Sequence, residues 1–197
     1  IGDKALTNNT TGDGNIGIGR EASFTQTTAS NNTVLGFQAG YFSTTGGSNT
    51  AVGAESLKAN TTGIANVAIG RHALKANTTA SNNTAVGRSA GLAITTGTQN
   101  TLMGAFSGDA LTDADSNIAI GYQALSSDTL GSNSVAIGAQ ALVSQNFTSA
   151  SDVYNVAVGH RAGLAVTTGT KNTLIGGLAG DALTTGIVNV AVGYQAL

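Results

Sequence analysis

Short apolar triplets punctuate this chain: Ile-Gly-Ile at 16–18, Thr-Val-Leu at 33–35, Thr-Ala-Val at 50–52, Val-Ala-Ile at 67–69, Ile-Ala-Ile at 118–120 and Val-Ala-Val at 190–192. Each is followed at once by glycine. The anchor glycines are Gly2, Gly19, Gly36, Gly53, Gly70, Gly87, Gly104, Gly121, Gly138, Gly159, Gly176 and Gly193, spaced by 17 residues except for one step of 21 between Gly138 and Gly159. With the glycine as position 0, position −1 is always aliphatic or Met and position −3 is Val, Ile or Thr. Position −2 is mostly Ala, with Gly17, Val34, Leu102 and Leu174 as variants. Position +3 is Ala or Ser, +4 is Leu or Gly apart from Ser23, and +8 is Thr in every coil but one.

A three-residue β-branched run that ends at glycine predicts a strand running into a corner. Thr-Thr-Gly or Thr-Thr-Ala near +8 to +10 predicts a second bend. Seventeen residues are too few for a helical hairpin repeat, and the apolar positions lack helical spacing. Each repeat therefore reads as two short strands and two turns. Such a unit cannot bury an apolar face alone, so the repeats must stack. The fold expected is all-β, a parallel β-solenoid of about 12 coils with 17 residues per coil. It forms one elongated repeat domain over 1–197, with the four extra residues lying within 143–155. Residues 91–125 and 163–197 agree at most positions, as if a two-coil block had been duplicated.

Stacking turns each position into a ladder. The −1 column is expected to form an aliphatic spine inside the coil, and +3 a narrow interior. The anchor glycines are expected at positive φ or at a close backbone approach. Position −4 is Asn15, Asn32, Asn49, Asn66, Asn83, Asn100, Asn117, Asn155, Asn172 and Asn189, with Ser134 the exception. These are expected to form an amide ladder linking successive copies. Position −2 alternates with −1, so it is assigned to the opposite face. An apolar column there, including Leu102 and Leu174, suggests cover by identical chains around an axis.

Composition narrows the function classes. Charged residues are 9% of the chain, against roughly 25% in ordinary soluble domains, and aromatics are 5%. A net charge of −2 argues against nucleic acid or an anionic membrane as partner. There is no Cys, and no apolar run approaches a bilayer's thickness. Chemistry is hard to find. His72 and His160 occupy different phases, the aspartates share no ladder, and no Gly-Lys-Ser/Thr follows a glycine loop. No catalytic residue, metal ligand or cofactor is expected. Phe147 and Tyr154 fall in the insertion and are the candidate lateral contact. The Thr columns at +8 and +9 admit a remote ice-binding reading.

The phrase "GSNSVAIGAQAL" (131–142), with "SNNTAVGRSAG" and "NVAVGYQAL", resembles the head repeats of YadA-like trimeric autotransporter adhesins and the arrays of phage tail-fibre-type repeat proteins. The likeness covers the whole chain. Adhesin head repeats are shorter, so this coil carries a longer second turn. The resemblance implies a left-handed β-roll assembled as a homotrimer, at a cell surface or on a virion. The function expected is then a non-catalytic, self-assembling shaft of an extracellular fibre. An adhesin head binding host-cell glycan or matrix is the alternative. The expected partners are further copies of the chain, possible axial stacking and a possible surface glycan, without nucleic acid or membrane contact. Beginning in mid-phrase at Ile1, the chain reads as an excerpt of a longer fibre.

Overall fold

A computed structural model describes all 197 residues. The chain is a parallel β-solenoid of about ten turns, with no helix and hence none long and apolar enough to cross a membrane. Its strands are β1 (Ile16–Ile18), β2 (Thr33–Leu35), β3 (Thr50–Val52), β4 (Val67–Ile69), β5 (Thr84–Val86), β6 (Thr101–Met103), β7 (Ile118–Ile120), β8 (Gly131–Ser132), β9 (Val135–Ile137), β10 (Ser151–Asp152), β11 (Val156–Val158), β12 (Thr173–Ile175) and β13 (Val190–Val192). Eleven of them form one sheet, in chain order, each pairing with the equivalent triplet of the next coil. β4 and β5, for example, align Val67 with Thr84, Ala68 with Ala85 and Ile69 with Val86.

Each coil has one strand rather than the two expected. Of 123 backbone hydrogen bonds only 21 lie within strands, so the turns carry most of the axial ladder. At the Thr-Thr bend the amides of Thr61 and Thr62 both donate to the carbonyl of Thr78 (2.8 and 3.3 Å), and the Thr61 hydroxyl donates to the same oxygen (3.0 Å). The second side of the coil is thus held by turn geometry, not by extended chain. The exception is at the insertion, where β10 pairs with β8.

The sheet faces the opposite way to the sequence reading. In each of the eleven three-residue strands the middle residue, position −2, is buried and the flanking −3 and −1 residues are half-buried or exposed. Ala68, Ala119 and Leu102 are fully buried, whereas Ile69, Met103 and Ile175 are about two-fifths exposed. The −1 spine therefore lies outside, and −2 is no partner-facing column. The reason is steric. The narrow interior already receives side chains from −4, +3, +4, +7 and +10, including Asn66, Ala73, Leu74, Asn77 and Ala80. Only a small side chain fits at −2, so the larger aliphatics are turned outward.

Leu102 and Leu174 fit inside by exchange. A Cβ on Gly91 would lie 2.8 Å from Leu102 Cδ1, and one on Gly108 would lie 2.8 Å from Leu102 Cδ2. Gly163 and Gly180 flank Leu174 in the same way. Position +7 changes with them. Coils with Leu at +4 have a polar +7 (Leu57 with Asn60, Leu74 with Asn77, Leu125 with Asp128), and coils that flank Leu102 or Leu174 have Gly at +4 with Ile94, Leu111, Val166 or Leu183 at +7. A similar core is filled from different directions, as close packing requires.

Candidate functional site

The anchor glycines stack in one column. Gly70 has φ +130°, and a Cβ there would sit 2.5 Å from the carbonyl oxygen of Gly87. That conformation is essentially restricted to glycine. Gly19, Gly36, Gly53, Gly87, Gly104, Gly121, Gly138, Gly159 and Gly176 meet the next coil in the same way, and Gly193 ends the column. Three further positions per coil, +2, +4 and −5, hold left-handed residues that are mostly not glycine, such as His72 (φ 64°), Leu74 (φ 49°) and Asn82 (φ 62°). Gly at +4 in five coils and Gly14, Asn31, Asn82 and Asn133 at −5 are the residue types that favour this conformation, whereas +2 carries no such signal.

The Asn column bonds in a different way from a simple side-chain ladder. Asn83 Oδ1 accepts from the Asn100 backbone amide (2.9 Å), and Asn83 Nδ2 donates across its own coil to the Gly97 carbonyl (2.8 Å). The same two bonds recur from Asn15, Asn32, Asn49 and Asn66 onward. Direct amide-to-amide bonds are present only at some steps, for example Asn100 Nδ2 to Asn83 Oδ1 (3.1 Å). Each buried Asn therefore closes one coil and ties it to the next. At Ser134 the shorter side chain is supplemented by Gln145, which donates to Ser134 Oγ (3.1 Å) and Asp128 Oδ2 (2.6 Å) and accepts from Asn155 Nδ2 (2.9 Å).

The outward face of the eleven-stranded sheet is a uniform surface along the stack. It has two columns, −3 and −1, and carries Val, Ile, Leu, Met and Thr without a single charge. At about 4.8 Å per strand it runs for about 5 nm.

The insertion is stitched into the stack. Phe147 N donates to buried Asp128 Oδ1 (2.9 Å), Val153 N donates to Ser132 O (3.0 Å), and Lys171 N donates to Val153 O (2.8 Å). Val153 is fully buried, while 148–150 are exposed. Tyr154 is half exposed and Phe147 partly buried, and their rings do not pair. Beside the insertion Asp113, Asp115 and Asp152 line an open depression with Ser132 and Ser151. Each carboxylate already accepts from a neighbouring coil: Asp113 from Thr96 Oγ1, Asp115 from Thr98 N (2.6 Å) and Asp152 from Asn133 Nδ2 (2.8 Å). No group of three His, Cys, Asp or Glu side chains is placed to hold a metal ion.

The corner from +1 to +6 gathers charge. Glu55 is held by Lys75 Nζ (2.7 Å), Lys58 Nζ (2.9 Å) and His72 Nε2 (3.2 Å). Hydrogen bonds from the two lysines lower its pKa from the ordinary 4.5 to about 2. Burial lowers the pKa of His72, and the nearby Arg71, Lys75 and Arg88 reinforce the shift against Glu55. Aromatic rings also meet here, Phe24 with Tyr41 at 5.3 Å between centroids and Tyr41 with Phe42 at 4.7 Å.

Fold and surface define a β-solenoid repeat protein with a long aliphatic sheet face. Comparison with protein-family models, with curated proteins and with solved structures gave no match to this chain.

Proposed function

We propose that this chain is a rigid, non-catalytic shaft segment of an extracellular fibre, and that its own copies cover the outward sheet face in a three-fold assembly. The carrying observation is that face: an unbroken double column of aliphatic and Thr side chains, uncharged on all eleven strands. Large exposed apolar patches mark interaction surfaces. Two outward positions on each strand come close to the roughly 20–30 residues a side of a stable protein interface. A second copy is the fitting occupant because its face repeats at the same axial step and is equally free of charge. Three-fold symmetry and the left-handed roll rest on the resemblance to YadA-like head repeats and tail-fibre arrays. Stiffness follows from the continuous axial hydrogen bonding, which suits a mechanical role.

Sedimentation equilibrium tests this. The wild-type chain is expected to sediment at three times its 19.3 kDa mass. Ile69→Glu combined with Ile120→Glu, both at −1, is expected to give a folded monomer with unchanged circular dichroism. A wild-type chain that stays monomeric at every concentration contradicts the proposal.

A further inference from the structure

The corner of the coil holds almost all the chemistry that the rest of this Thr-, Ser- and Gly-rich surface lacks. Every Lys and Arg except Lys171 lies between +1 and +5, and every aromatic except Phe147 and Tyr154 lies between +1 and +6. The solenoid stacks these positions, so residues scattered through the sequence become neighbours along one edge. At its N-terminal end are aromatics: Phe24 stacks on Tyr41, Tyr41 meets the edge of Phe42, and Arg20 lies 5.6 Å over the Phe37 ring. The next coils carry cations. Lys58, Arg71, Lys75 and Arg88 fall in consecutive coils with only one carboxylate, Glu55, among them, and Lys58 and Lys75 already share it. Arg71 and Arg88 are exposed and take part in no salt bridge. Arg88 lies 4.9 Å over Phe106, which in turn meets Tyr122 edge-on.

We infer that this corner is a binding edge for an acidic polysaccharide. Its exposed rings, Phe37 and Phe42, would lie against the apolar faces of sugar rings, and Arg71 and Arg88 would pair with carboxylate or sulfate groups. Three features select this partner. Aromatic faces with polar surrounds take flat amphipathic rings. Unpaired guanidinium groups bind planar or tetrahedral oxyanions through parallel hydrogen bonds. Each of the seven consecutive coils anchored from Gly19 to Gly121 carries at least one aromatic or cationic side chain at this edge, about 4.8 Å apart, a step comparable to the advance of an extended sugar chain per residue. A polymer can therefore engage several coils at once, and weak contacts add through multivalency. A nucleic acid is the competing polyanion, and an oligothymidylate surface separates the two. The five aspartates of 89–159, with no Lys or Arg among them, confine any acidic polymer to the cationic stretch from Lys58 to Arg88. The inference stands apart from the shaft reading, since it uses the corner and not the sheet face.

The test is binding of the full 197-residue chain to immobilised heparin and hyaluronate, with dextran and oligothymidylate as comparison surfaces, at two salt concentrations. The wild type is expected to bind at least one acidic polysaccharide and to release with salt. Arg71→Ala with Arg88→Ala should weaken binding about tenfold and flatten the salt dependence. Phe37→Ser with Phe42→Ser should weaken it about tenfold with the salt dependence kept. Lys171→Ala, off the corner, should leave it unchanged. All these side chains are exposed, and circular dichroism confirms that each variant is folded. The inference is overturned if the wild type binds neither acidic polysaccharide, or binds dextran equally well. It is also overturned if oligothymidylate is preferred, if Lys171→Ala weakens binding as much as the arginine pair does, or if the phenylalanine pair has no effect.

Discussion

Gly70 shows how a single position can be read from sequence alone. Its invariance along the chain pointed to a backbone requirement, and the structure supplies the requirement: φ of +130° with the next coil's carbonyl where a Cβ would go. Gly70→Ala is expected to cost about 3 kcal/mol or more, through strain and collision with backbone that cannot yield. Chemical denaturation checks this, and a loss under about 1 kcal/mol would mean the column can relax. Glu55 could not be read in this way. Its partners Lys58, His72 and Lys75 come from two coils, and only stacking brings them together. The consequence for pH follows from the sign of its shift. The folded state holds the carboxylate at about 2, below its ordinary 4.5. Its contribution is therefore present above the unfolded value and is lost as pH falls from 4.5 toward 2. Glu55→Gln should lower the melting temperature at pH 7 and narrow its gap from the wild type at pH 2.5. A gap that stays constant across that range contradicts the assigned role.

At the scale of the coil, the repeat spacing and the β-branched triplets reveal the period and the position of the strand, but not which way the strand faces. With apolar residues on both sides of a three-residue strand, alternation alone cannot tell inside from outside. The sequence expectation puts the larger side chains inside, and the interior is too narrow for them. Two signals in the sequence point the other way. Thr33, Thr50, Thr84, Thr101 and Thr173 share a face with the −1 aliphatics, and a Thr-rich face is seldom a fully buried one. Leu102 and Leu174 occur only where +4 is Gly on both sides and +7 is apolar, a volume exchange that makes sense only within one core. The two fillings are thus interchangeable modules. Leu102→Ala is expected to cost about 3 kcal/mol by leaving a cavity. Adding Gly91→Leu with Ile94→Asn converts that coil to the Leu74–Asn77 pattern and should restore most of the loss. Thermal denaturation of the single and triple variants decides it: a triple variant less stable than Leu102→Ala shows that the exchange depends on more than these three positions. The second strand expected at the Thr-Thr side failed for a local reason. Two bends so close together leave no extended chain, and hydroxyl and amide donors of Thr61 satisfy the Thr78 carbonyl instead.

Across the molecule, one sheet face about 5 nm long and one charged, aromatic corner run side by side down the same axis. The first suits association with further copies, and the second suits an extended ligand. The insertion changes neither run, because β9 and β11 pair directly across it in the register of the other coils. Its body, anchored by Val153 and by the buried Asp128, belongs to the stack, and only its tip projects. This explains why four extra residues leave the later coils in phase. The sheet-face account has a direct test in a chain that has no Cys of its own. Single cysteines are placed at Ala68→Cys, Ile69→Cys and Thr79→Cys, and their rates of maleimide labelling are followed over a range of protein concentration. Ala68 is fully buried within the coil, Ile69 is 39% exposed on the sheet face, and Thr79 is exposed at the bend. The account predicts that Ala68→Cys stays unlabelled in the folded protein and that Thr79→Cys labels rapidly at every concentration. Ile69→Cys should label rapidly when dilute and become protected as concentration rises. Labelling of Ile69→Cys as fast as Thr79→Cys throughout, or labelling of Ala68→Cys ahead of Ile69→Cys, would contradict it.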